Sequence, residues 1–183
     1  MPNPDNAAQW AVAGLFGLAL IAAGISDIRV RKIPNWAVIA LAVLYIPWVF
    51  VGPSVSWTSG LIAAGIAFAG TFALYLMKVV GAGDSKLFTV TALFAGLNLL
   101  GGLALATALI GGAIALCIML VNPKRILRGL TRKGREELNK GRGIPYGVPI
   151  ALAGLLVMFA PFGAIHDPST ANLPKAGQLL PAR

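Results

Sequence analysis

The sequence predicts an all-α, polytopic membrane protein, a bundle of six transmembrane helices with little chain outside the bilayer. Three observations predict it. Of the 183 residues, 57% are apolar and only 11% are charged, against roughly 25% charged in a soluble domain. Mean hydropathy is +0.80. The 22 glycines sit largely inside long apolar runs. A spanning helix needs about 20 mostly apolar residues, so six of them use about 120 and leave about 60 for loops and tails. This arithmetic excludes a soluble single domain, a disordered chain and a coiled coil.

The apolar segments fall at about 7–26, 36–53, 59–80, 86–99, 101–121 and 144–165, within one domain spanning 1–183. The first is preceded by Met1–Asn6, without Lys or Arg. A cleaved signal peptide carries a positive n-region, so segment one is expected to remain as a spanning helix. Segment four is short, and Asn98–Gly102 is expected to be a tight, uncharged turn before segment five. Pro47, Pro149 and Pro161 lie in or near segments, where neighbouring helices re-satisfy the backbone. Gly60, Ala64, Gly65, Ala69, Gly70, Gly101, Gly102, Gly111 and Gly112 are expected to let helices approach closely. The lone cysteine, Cys117, rules out a disulfide framework and a cysteine-clustered zinc site; it reads as a small packing residue.

Orientation follows from Lys and Arg in the short loops. Loop one carries Arg29, Arg31 and Lys32, loop three Lys78 and Lys86, and loop five (122–143) eight Lys/Arg, whereas loops two and four carry none. The odd loops are therefore expected in the cytoplasm and both termini in the periplasm. The net charge of +9 is mostly this asymmetry, so no nucleic-acid partner is expected. Loop five reads equally as a solvated basic loop or as a short interfacial helix. In the helix, Asn122-Pro123 starts the first turn, and Ile126, Leu127 and Leu130 share a face opposite Lys124, Arg125, Arg128 and Arg132. Such a helix would meet anionic lipid headgroups.

Six acidic residues make a short census. Asp5 and Asp167 lie in the terminal regions, and Glu136 and Glu137 lie in the most basic loop. Asp27 and Asp84 remain, each abutting an apolar segment on the cytoplasmic side. An acidic residue at such a place is costly and marks a candidate functional site. Two carboxylates at similar depth could face one another, one keeping a proton while the other takes one from water, as in aspartic proteases. That chemistry needs no metal and no cofactor, and none is expected. On spacing alone a second reading stands equally: Asp84 as an N-cap of segment four and Asp27 paired with Arg29 or Arg31.

Three stretches carry a family resemblance. Gly81-Ala82-Gly83-Asp84 resembles the GxGD signature of membrane-embedded aspartyl proteases. Asp27 to Ile33-Pro34-Asn35 is similar to the D-x(5)-[IL]-P-[ND] stretch of type IV prepilin peptidases. Pro145-Tyr146-Gly147-Val148-Pro149-Ile150-Ala151 resembles that family's P-[YF]-G-x-x-[IL]-A stretch. The three occur in the family's order at three cytoplasmic loop ends, closest to the short CpaA-like class of tight-adherence (Flp) pilus systems. The resemblance implies an aspartyl endopeptidase at the inner membrane, with Asp27 and Asp84 catalytic and Gly81, Gly83, Pro34, Asn35, Pro145, Tyr146 and Gly147 supporting. Lys86 suits a snorkelling lysine better than a modulator of Asp84. The implied partner is a prepilin with a short basic leader and an apolar helix. Bifunctional relatives carry a large insertion with CxxC pairs after the first helix; this chain has only Arg29–Asn35 there, so methyltransferase activity is not expected. His166, on the periplasmic side, is set aside. The competing classes are a non-catalytic assembly factor and a small proton-coupled transporter; the latter would place its charges at the midplane.

The topology is checked by cysteine accessibility in a Cys117→Ser background: a Leu130→Cys thiol is expected to label only from the cytoplasmic side, and labelling from the periplasm of intact cells overturns the assignment.

Overall fold

The computed structural model describes residues 7–51, 57–121 and 146–159. The terminal stretches, loop 122–143 with its proposed interfacial helix, Pro145, Pro161 and His166 lie outside the described residues. Among the described residues the chain is all-helical, with five helices: α1 (Ala7–Val30), α2 (Asn35–Val51), α3 (Trp57–Leu76), α4 (Ala82–Val121) and α5 (Gly147–Phe159). By length and hydropathy α1, α3 and Ala82–Ile118 of α4 are able to cross a membrane, while α2 and α5 are shorter apolar helices. The outward faces match a lipid solvent: Phe50 is 83% exposed and Val121 76%.

Helix boundaries are set by local chemistry. Helix α1 runs four residues past the expected end at Ser26, which brings Asp27 into its last turn. There Arg31 adopts a left-handed conformation (φ 54°) and its N–H donates to the Asp27 carbonyl at 3.0 Å. This single backbone bond closes the helix end. The Ser26 hydroxyl donates to the Lys32 carbonyl at 2.9 Å, holding the exit of the chain. Helix α3 ends at Leu76, short of the expected residue 80. Lys78 (φ 58°) and Val79 send their N–H groups back to Tyr75 and Leu74 at 2.9 and 3.0 Å, the paired bonds of a Schellman ending.

The largest departure from expectation lies inside α4. Asn98–Gly102 is helical, and the break falls at Gly96 (φ 62°, ψ −179°). That conformation is essentially confined to glycine, so the turn goes where Gly96 permits it. The chain reverses there. Before the break, Asp84 lies toward the Gly147 end of α5 and Thr91 meets Gly154. After it, Leu103 packs in one cluster with Ala153 and Gly111 faces Pro149. The second limb of α4 therefore returns along α5. The first limb, from Ala82 to Ala95, is about 21 Å long at 1.5 Å per residue.

Close packing uses some of the expected small residues and not others. A methyl group at Gly60 would overlap the Tyr45 hydroxyl and lie 2.7 Å from the Leu93 carbonyl oxygen; one at Gly154 would lie 2.8 Å from both Leu20 and Thr91. Gly65, Gly70, Gly101, Gly102 and Gly112 have open space where a methyl would go, so they are not approach points. Cys117 is likewise exposed and is not a packing residue. An apolar run in a membrane chain does not reveal which of its faces meets protein, because lipid is as apolar as a core. At the heart of the bundle Phe94 touches Phe16, Tyr45 and Trp48 with ring centroids 4.3, 5.5 and 6.0 Å apart. These contacts tie α1 and α2 to the first limb of α4. Each such aromatic pair contributes roughly 0.5–1.5 kcal/mol beyond its burial.

Replacing Gly96 by alanine is expected to cost about 1–3 kcal/mol of stability, because a side chain strains that backbone conformation. Unfolding in detergent measures it. Gly112→Ala, in open space, is the control and is expected to stay within about 0.5 kcal/mol; equal behaviour of the two variants would contradict the turn at Gly96.

Candidate active site

Asp27 is the most buried acidic side chain among the described residues, 6% exposed. It belongs to the last turn of α1, and its Oδ2 accepts a hydrogen bond from the backbone N–H of Gly147 at 2.8 Å. Gly147 opens α5. The first N–H groups of a helix have no partner within it and carry its partial positive charge, so the start of α5 is a natural seat for a carboxylate. The approach depends on glycine. A methyl at position 147 would lie 2.8 Å from Asp27 Oδ2 and 3.0 Å from both its Cβ and Cγ. Arg31 adds positive charge acting on Asp27 from the chain immediately beyond α1.

Asp84 is half-buried and lies in the first turn of α4, which begins four residues earlier than the expected start at 86. It is therefore not the N-cap. Gly81 takes that place, with its carbonyl accepting from the Ser85 N–H at 3.1 Å. Asp84 reaches back so that Oδ2 accepts from the Gly81 N–H at 3.3 Å, the reciprocal half of a capping box. Asp27 lies in the last turn of α1 and Asp84 in the first turn of α4, and Gly83 packs against Ile33 just beyond α1, so the two carboxylates lie at the same end of the bundle.

The other described motif residues have separate surroundings. A methyl at Gly83 would come 3.3 Å from Ile33 Cβ, so the glycine lets α4 close against the segment that joins α1 to α2. Helix α2 starts at Asn35, and the Pro34 carbonyl accepts from the Ala37 N–H at 3.1 Å. Pro149 occupies the first turn of α5, where a missing N–H leaves no helical bond unmade. Tyr146 lies beside Gly111 of the second limb of α4. Lys86 is exposed, with its side chain away from the packed interior. Sequence reasoning missed that Gly147 holds Asp27 through its backbone. The P-Y-G stretch flagged the position, but nothing in the sequence names the partner 120 residues away.

Gly147→Ala is expected to cost about 1–3 kcal/mol by overpacking. The check is a thermal midpoint in detergent, lowered for Gly147→Ala and unchanged for Gly14→Ala, which meets nothing within 4 Å.

A sequence model of the type IV leader peptidase family matches residues 14–116, which runs from the second turn of α1 deep into the second limb of α4 and takes in both aspartates. No curated protein and no solved structure matches the chain. The family match covers more than half of the chain and coincides with apolar helices able to cross a membrane: this membrane protein belongs to the type IV leader peptidase family.

Proposed function

We propose that the protein is an aspartyl endopeptidase that removes the short basic leader of Flp-type prepilins at the cytoplasmic boundary of the inner membrane, with Asp27 and Asp84 as its catalytic pair. The observation that carries the reading is the way these two carboxylates are held at one end of the bundle. They come from helices separated by more than fifty residues of chain, and each accepts a hydrogen bond from a glycine N–H, Gly147 for Asp27 and Gly81 for Asp84. A pair of interfacial charges would need no such arrangement.

The chemistry follows from a dyad that holds one proton. The ionised carboxylate takes a proton from water as the water oxygen attacks the scissile carbonyl carbon. The protonated carboxyl donates a hydrogen bond to that carbonyl oxygen. When the tetrahedral centre collapses, the C–N bond breaks and the leaving amine takes a proton from the dyad, which returns to its starting state. Gly147 orients one carboxylate; Gly81 orients the other.

In this reading the chain crosses the membrane six times, with the two limbs of α4 as separate passes and both termini in the periplasm. The end bearing Asp27, Asp84 and Gly147 then faces the cytoplasm, beside Arg29, Arg31 and Lys32. A prepilin would lay its apolar helix in the bilayer next to the bundle and bring the leader junction to the dyad. Loop 122–143 would rest on anionic headgroups. Without a cytoplasmic insertion after α1, the enzyme would cleave and not methylate.

Asp27→Asn and Asp84→Asn are each expected to abolish cleavage of a prepilin in detergent while the protein still inserts, since either change removes the acid or the base. The double variant is expected to be little worse than either single one, because members of one catalytic unit are not additive. An Asn variant that matches the wild-type rate at equal protein level overturns the assignment.

A further inference from the structure

We propose that Thr71 and Ser85 are positioning residues: their hydrogen bond locks the register of α3 against the first limb of α4 and so sets where Asp84 stands beside Asp27. The inference rests on Asp84 acting in the dyad.

The bond joins the Thr71 and Ser85 hydroxyl oxygens at 2.8 Å. Its direction follows from counting protons. Thr71 has one hydroxyl hydrogen, and its oxygen lies 2.7 Å from the Ala67 carbonyl one helical turn back. Thr71 therefore donates to Ala67 and accepts from Ser85. Ser85 is 4% exposed, so its hydroxyl proton is spent on α3 in a setting where hydrogen bonds are strong and unpaired groups costly. The Ser85 carbonyl is engaged as well, accepting from the Thr89 hydroxyl at 2.8 Å. Asp84 is the adjacent residue. Its own bond, to Gly81, lies within the same turn and moves with that turn, so it cannot fix Asp84 relative to α1. Helix α3, by contrast, is tied to α2 by the Tyr45 hydroxyl donating to the Trp57 carbonyl at 3.2 Å, and α2 packs on α1.

A second bond defines the same register. The Leu97 N–H donates to the Ser59 hydroxyl at 3.0 Å, just beyond the break at Gly96. Ser59 and Thr71 are twelve residues apart on α3, and Ser85 and Leu97 are twelve apart on α4. The two bonds thus fasten one antiparallel alignment at both ends of a stretch about 18 Å long. The buried face of α3 between them is Gly60, Ala63, Ala64 and Ala67, small side chains that allow close approach but interlock little. Gly60 fixes the approach at the Leu93 end; toward Asp84 the Thr71–Ser85 bond holds the register. A slip of one residue displaces Asp84 by about 1.5 Å along the helix axis, enough to cost a catalytic pair about two orders of magnitude in rate.

The test compares the two ends of the lock, using the full chain in detergent and a full-length prepilin with a basic leader. Thr71→Val keeps the shape and deletes the bond; it is expected to lower kcat about tenfold or more with KM within about twofold. Thr71→Ser, which keeps the hydroxyl, is expected to restore kcat. Ser59→Ala removes the comparable bond far from Asp84 and is expected to lower the thermal midpoint while leaving kcat within about twofold of wild type. Should Thr71→Val insert poorly, Ser85→Ala reads the same bond by removing one oxygen. Wild-type kcat in Thr71→Val or Ser85→Ala overturns the proposal, as does an equal loss of kcat in Ser59→Ala. Asp84→Asn is run alongside: an active Asp84→Asn sinks the dyad itself, whereas an inactive one beside an unimpaired Thr71→Val sinks only the lock.

Discussion

The hydrogen bond from the Gly147 N–H to Asp27 Oδ2 governs how the rest of the bundle can be arranged. A carboxylate taken out of water needs donors, and lipid offers none. The protein supplies one by starting a helix there, and this choice propagates. Because α5 must begin at Asp27, it runs antiparallel to α1, and Gly24 and Gly17 meet Ala151 and Leu155 in turn along it. Because a side chain at 147 would collide with Asp27, the first residue of α5 has to be glycine. The far end of the same pairing is closed by Trp10 against Phe159, with ring centroids 6.3 Å apart.

Asp84 is held in a different way, and the contrast is informative. Asp27 is fixed by a distant helix and buried; Asp84 is half-buried and bound only within its own turn. Its position is inherited from α4, which is in turn held by aromatic contacts through Phe94 and by hydroxyl bonds to α3. The reversal at Gly96 makes this possible. It sends the second limb of α4 back along α5, while the first limb packs on four neighbours at once: α1 through Phe16, α2 through Tyr45 and Trp48, α3 through Gly60 and Thr71, and α5 through Thr91.

Much of this was legible in the sequence, for definable reasons. The helix content and the apolar helices able to cross a membrane follow from composition, since a chain with so few charges has one solvent in which it can fold. Asp27 and Asp84 stood out because charge is expensive in that solvent. The turn at Gly96 was not legible: Asn98, Gly101 and Gly102 offer the same turn chemistry, and only packing decides among them. Nor were the outward-facing glycines, since lipid and protein neighbours leave the same apolar pattern. Thr71 carried no signal either, being one hydroxyl in an apolar helix whose worth depends on what lies opposite. The start of α4 moved by four residues because Gly81 and Asp84 cap each other, a pairing visible only once the helix axis is known.

The family match ends at residue 116, before α5 begins. The match therefore takes in both aspartates but not Gly147, the residue whose backbone holds one of them. Geometry supplies that connection independently. A fragment ending after the second limb of α4 would keep both carboxylates and both GxGD glycines, yet it would leave Asp27 without its N–H donor and Leu20 and Thr91 without Gly154 between them. The candidate site is thus a property of the closed bundle, in which α5 completes what α1 and α4 begin.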